Sequence, residues 1–64
     1  MIKNNLKMER FKRGKTQIVL FKETGIWPSK ISYIENGYVK ASKEEIEKLA
    51  NALAVSKELL FPEN

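Results

Sequence analysis

Twenty residues from Gln17 to Asn36, QIVLFKETGIWPSKISYIEN, constrain the fold more than any other part of this chain. They read as an apolar helix, a Thr24-Gly25-Ile26 turn and a second short helix with Ile31 and Ile34 three positions apart. Gly25 supplies a residue that tolerates positive φ, so Leu20, Ile26, Ile31 and Ile34 can meet in one small core as the two helices cross steeply. That crossing turns the other face of the second helix outward.

The flanking segments read as three more helices. One is expected from Asn4 or Asn5, either of which can cap it, to Arg13, with Gly14 as the stop. Its apolar positions, Leu6, Met8 and Phe11, fit one face imperfectly, and Ile2 either adds to the core or belongs to an extended stretch over residues 1–3. Thr16 is a natural N-cap for the helix that ends at Thr24. Pro28 suits the first turn of the next helix, where its missing N–H is not needed and its φ is already helical. That helix runs to Glu35 or Asn36, with Gly37 closing it. Ser42 opens the clearest helix of all: Ser42 and Glu45 form a capping box, Ala41 and Ile46 can make a hydrophobic staple, and Ile46, Leu49, Ala50 and Leu53 recur at i, i+3, i+4 and i+7. Glu44 precedes Lys48 by four residues, the favourable ion-pair order. Ser56 caps a last short helix with Leu59, Leu60 and Phe61, closed by Pro62. Five helices and no strand pattern make an all-α domain.

Composition narrows the chemistry. With 64 residues the chain makes one small domain, and a chain of this length buries only about 60% of the surface its unfolded form exposes. Extra stability must come from tight helix packing or oligomerisation. There is no Cys, His or Asp, which excludes disulfides, zinc sites and catalysis by His or Cys. Glu, Lys, Ser and Tyr remain with no visible convergence, and no glycine-rich phosphate loop is present. We expect no catalytic residue, metal, cofactor or enzyme activity. Residues 1–40 carry nine basic residues against three Glu, whereas residues 41–64 carry three against five. The basic part holds the two-helix unit, which fits a surface facing a polyanion, although a lysine-rich solvated face is equally compatible with charge alone. No apolar run approaches the roughly 18 residues needed to span a bilayer, and the amino terminus lacks a signal-peptide core. A cytoplasmic protein is expected.

Arg10, Gly14, Thr16-Gln17, Leu20, Gly25-Ile26, Ile31-Ser32, Ile34-Glu35-Asn36-Gly37, Leu53-Ala54-Val55-Ser56 and Leu60-Phe61 follow in an order and spacing that resembles the phage repressor and Cro (Xre-type) helix-turn-helix family. The resemblance covers essentially the whole chain. It implies a compact five-helix lambda-repressor-like domain over residues 1–64, with the helix-turn-helix at 17–36. It further implies a small transcriptional regulator, a repressor in particular, that binds a two-fold operator in double-stranded DNA as a homodimer through helix three.

The same resemblance assigns roles to residues. Gln17, in the first turn of helix two, matches a glutamine that contacts the DNA backbone, where the positive end of the helix can also bracket a phosphate; otherwise it is an ordinary solvated residue. Trp27, Pro28, Ser29, Lys30 and Tyr33 are offered to a groove, with Ser29 and Tyr33 where base edges are read. Asn36, Lys40 and Lys43 lie where the family's loop returns along the phosphates, Lys43 being equally suited to decorating helix four. Arg10 and Glu35 match two positions that form a buried or half-buried ion pair. Val55, Leu59 and Phe61 are expected at a dimer axis, because Leu59, Leu60 and Phe61 exceed what one side of so short a helix can bury.

Several residues depart from the family's pattern. Polar or amide side chains usually stand where this chain has Trp27 and Pro28, and neither of these can make the paired hydrogen bonds by which Asn, Gln or Arg read a base. Trp27 has three placements open to it: on a thymine methyl or sugar, in the core, or against a protein partner. In helix two Ile18, Val19 and Phe21 replace residues that are usually polar or, at the last position, alanine. With Leu20 they form four consecutive apolar residues, and a helix apolar on every side is covered by something. The cover is either Phe11 with a shifted helix one or another protein. Lys15 replaces a usually apolar residue and leaves a gap that Ile18 can fill. The second functional reading is therefore a protein-interaction module, antirepressor or antitoxin-like, that works through Ile18, Val19 and Phe21.

Overall fold

Local chemistry sets the helix boundaries. A computed structural model describes residues 3–62, so the expectation for Ile2 lies outside the described residues. The helices are α1 (Leu6–Lys12), α2 (Gln17–Thr24), α3 (Pro28–Glu35), α4 (Lys43–Leu53) and α5 (Lys57–Leu60). The Thr16 hydroxyl accepts from the Val19 N–H at 3.1 Å and starts α2. Ser42 and Glu45 close the capping box of α4 at 2.9 and 3.2 Å, and the Ser56 hydroxyl accepts from the Leu59 N–H at 3.1 Å to start α5. Each bond satisfies an amide that the first turn leaves unpaired.

The turn between α2 and α3 rests on two residues. Gly25 has φ 78°, and its N–H donates to the Phe21 carbonyl at 2.7 Å. The buried Thr24 hydroxyl donates to the Leu20 carbonyl at 2.7 Å and accepts from the Ile26 N–H at 3.1 Å, so it ends one helix and directs the chain into the next. Ile26 then enters the core with Leu20, Ile31 and Ile34, joined by Leu6, Ala41, Ile46, Leu49, Ala50, Leu53, Leu60 and Phe61. Helix α2 packs against both α3 and α4, α5 against α4, and α1 against α3.

Helix α1 departs from its apolar reading. Its buried side is Leu6, Glu9 and Arg10, whereas Met8 and Phe11 face solvent, Phe11 with 62% of its surface exposed. Phe11 therefore does not cover α2; its ring lies against the Arg10 guanidinium, 4.7 Å from the ring centre. The buried charges are all partnered. Glu9 pairs with Arg13 at 2.7 Å and Lys12 at 3.4 Å. Arg10 grips Glu35 through Nε at 2.6 Å and Nη2 at 3.2 Å, and donates from Nη1 to the Lys15 carbonyl at 3.1 Å. Gln17 Nε2 adds a third bond to Glu35, at 3.0 Å. Asn5 is the N-cap of α1 but makes no side-chain capping bond; the side-chain bond to the first turn comes from Asn4 instead. Asn4 Oδ1 accepts from the Leu6 N–H while Nδ2 donates to the Ile34 carbonyl, and Asn5 donates from its amide N–H to the Leu60 carbonyl and from Nδ2 to the Leu59 carbonyl.

Two basic side chains finish α4. Arg13 Nε donates to the Leu53 carbonyl and Lys15 Nζ to the Ala52 carbonyl, both at 2.6 Å, where a helix end carries unpaired acceptors and partial negative charge. Lys15, also bonded to Glu23 at 2.9 Å, thus leaves no gap for Ile18, whose side chain stays 53% exposed. Ala54 closes the helix with φ 56°, a left-handed conformation usually given to glycine. Phe61 corrects the reading of the last helix. It follows a helix of only four residues, turns inward at φ −131° and is 4% exposed in the chain's own core, so it is not available at a dimer axis.

Two outcomes are expected from stability measurements. Arg10→Met strands the Glu35 carboxylate and should cost about 3–5 kcal/mol, most of the roughly 3–10 kcal/mol that a chain of this size holds in total. The double change Arg10→Met with Glu35→Leu should recover much of that loss; urea unfolding that finds the single variant within about 1 kcal/mol of the parent would place the pair among exposed bridges. Gly25→Ala meets no atom within 4 Å, so its cost should be the backbone strain alone, about 1–2 kcal/mol. Ala54→Gly should act oppositely, raising stability by about 0.5–1 kcal/mol after the entropy of glycine is subtracted.

Candidate nucleic-acid interface

Ile31 and Ile34 bury one side of α3, which leaves Ser29 and Tyr33, four residues apart, exposed on the other, with Asn36 exposed just past the helix end. Pro28 opens the helix, half-buried. Tyr33 lies near a second exposed tyrosine, Tyr38, with ring centres 6.2 Å apart, and the Tyr38 N–H donates to the Tyr33 carbonyl at 2.9 Å. Asn36 Nδ2 lies 3.5 Å from the Ser32 hydroxyl. Ser29 and Tyr33 offer single hydroxyls and an aromatic edge, Asn36 an amide that can both donate and accept, and no guanidinium stands on the exposed side of the helix.

Trp27 stands immediately ahead of Pro28 as the N-cap of α3, yet it makes no side-chain capping bond. Its indole, 66% exposed, stacks on Phe21 with ring centres 4.9 Å apart and planes inclined by 19°. Phe21 is half-buried and packs against the core cluster from α2. Of the three placements open to Trp27, the core is thereby removed. Ile18 and Val19 are exposed on the same helix as Phe21.

Charge around this surface is unevenly spent. Lys30 Nζ lies 2.7 Å from Glu45 Oε2 at the start of α4, so its ammonium is already occupied. Partial burial opposes charge on the Glu45 carboxyl, but bonds from Lys30 and from the Ser42 amide and hydroxyl outweigh it and hold the group below the usual glutamate value. Among the described residues, Lys22 on α2 and Lys40 and Lys43 after α3 have no carboxylate within ion-pair distance. Gln17 is half-buried, and one of its amide hydrogens is committed to Glu35. Its carbonyl oxygen and second amide hydrogen remain at the start of α2, beside first-turn amides that Thr16 does not take.

At the opposite end of the sequence Val55 is half-buried and Leu59 is 45% exposed. Sequence reasoning did not anticipate the Lys30 and Glu45 pairing, the Tyr33 and Tyr38 pair or that Lys22 has no carboxylate within ion-pair distance among the described residues. For Tyr38 a signal existed, an aromatic residue directly after the Gly37 stop. The Lys30 pairing carried none, because its partner lies in another helix.

A helix-turn-helix family model matches residues 6–60, from the first residue of α1 to the last of α5. No curated protein matches the chain. The all-helical arrangement, the glycine turn between α2 and α3 and the outward side of α3 agree with that match, and the chain belongs to the Xre-type helix-turn-helix family of DNA-binding regulators, with the lambda-repressor-like fold.

Proposed function

We propose that this regulator is a sequence-specific transcriptional repressor that acts in the cytoplasm, carries out no reaction of its own and binds a two-fold operator as a homodimer with α3 in the major groove. The observation that carries the reading is the outward side of α3, where Ser29, Tyr33 and Asn36 stand clear of the buried isoleucines, while Lys22, Lys40 and Lys43 have no carboxylate within ion-pair distance among the described residues. Ser29 and Tyr33 face base edges, with Trp27 and Pro28 at the mouth of the groove. Gln17, Asn36, Lys40 and Lys43 hold phosphates and set the register without reading sequence. A second copy is required because one domain of this size offers too little contact area for a specific site, and Val55 and Leu59 supply the apolar surface for it. Exposed Ile18 and Val19 favour a second reading, a protein-interaction module on the same scaffold.

Titration against random duplex at low and moderate salt separates the two readings. The repressor should bind with a steep salt slope, and a chain that does not bind duplex at low salt is the module. Glu45→Gln keeps a residue able to complete the capping box but releases Lys30. It should tighten binding and steepen the salt slope by about 0.9, the value for one added phosphate contact. An unchanged slope would remove Lys30 from the interface. Leu59→Glu should leave the fold intact and shift sedimentation of the DNA complex from two protomers to one; a monomeric parent at high micromolar concentration, with and without DNA, would retire the dimer.

A further inference from the structure

We propose that Phe21 is a positioning residue for Trp27, and that the stacked pair presents the indole as a fixed apolar surface that reads the 5-methyl group of thymine. The inference rests on the DNA-binding reading above and deepens it to the chemistry of the bases preferred. N-cap positions are normally held by Ser, Thr, Asp or Asn, and Trp27 supplies α3 with no capping bond. Pro28 removes one of the amides that a cap would serve. The indole is therefore not engaged by its own helix. Phe21, whose ring is anchored against the core, stacks on the indole, and Trp27 as a whole is 66% exposed. A free indole would lose rotational freedom on docking, whereas a stacked one has already lost it.

The ligand follows from what the leading part of α3 lacks. Pro28 has no donor or acceptor there, Ser29 and Tyr33 each carry one hydroxyl that can donate or accept, and the Lys30 ammonium is held by Glu45. None of these distinguishes one base pair strongly from another by paired hydrogen bonds. On the major-groove edge the thymine methyl is the apolar group that a ring can recognise. At the leading part of α3 discrimination therefore falls to apolar contact, and thymine is the base favoured there.

Selection of short duplexes from a random pool with the full chain, followed by synthesis of the preferred duplex with deoxyuridine replacing each thymine in turn, tests the proposal. Removing a contacted methyl should weaken binding about fourfold, the effect of one buried methyl-sized group. In Phe21→Leu, which keeps an apolar side chain against the core, the preference for thymine over deoxyuridine should fall toward one while the salt slope is unchanged. Should Phe21→Leu lose its melting transition, Phe21→Met, which also removes the stacked ring and keeps an apolar side chain against the core, makes the same comparison. Equal binding of thymine and deoxyuridine duplexes by the parent chain overturns the proposal and leaves sequence-specific binding standing. Full preference retained in Phe21→Leu overturns the positioning role. A pool that yields no preferred sequence removes the DNA reading itself, and the proposal with it.

Discussion

The carboxylate of Glu35, at the end of α3, accepts from Arg10 on α1 and from Gln17 on α2, so the meeting of three helices is fixed by one charged group. Such a pair adds little net stability compared with apolar residues of the same shape, because two charges must leave water to form it. Its value lies in direction. Two guanidinium nitrogens on two carboxylate oxygens define both distance and angle, which methyl groups in a small core do not. Arg10 also holds the Lys15 carbonyl, so the loop that leads into α2 is positioned by the same side chain. The outward side of α3 inherits its orientation from this junction.

Features governed by neighbours in sequence were legible from the residues. Thr16, Ser42 and Ser56 as caps, Gly25 as the turn and Pro28 as a helix opener each depend on a few adjacent residues. Features that depend on distant residues were hidden. Met8 and Phe11 suggested an apolar side for α1, but the helix is rotated so that Glu9 and Arg10 face inward, where Arg13 and Lys12 pair with the first and Glu35 and the Lys15 carbonyl with the second. Lys15 read as a gap in the apolar pattern and Arg13 as the end of the first helix. Both instead end on main-chain carbonyls of α4, and a carbonyl leaves no mark in residue type. The inward turn of Phe61 was hidden for a related reason: a four-residue helix has no periodicity from which to read a face.

The candidate interface shows the same division. The helix that carries it and its exposed side followed from Ile31 and Ile34. The state of its charges did not, since Lys30 is neutralised from α4 whereas Lys22, Lys40 and Lys43 stand unopposed among the described residues. Nor did the ring geometry: Phe21 reads as an oversized substitute for alanine until Trp27 is seen lying against it. Two unusual residues, one in α2 and one just ahead of α3, thus lie against each other.

The Asn5 bonds to Leu59 and Leu60 span 54 residues in the case of the side chain. Closing so long a loop costs entropy that the turn-mediated contacts of α2 and α3 do not incur. The docking of α5 against the start of α1 is thus a contact of long sequence separation, the kind that slows folding relative to contacts between neighbouring helices. Leu59 stands beside that closure, since its own carbonyl accepts from Asn5 Nδ2, so what α5 presents to solvent depends on the residues just ahead of α1 being in place.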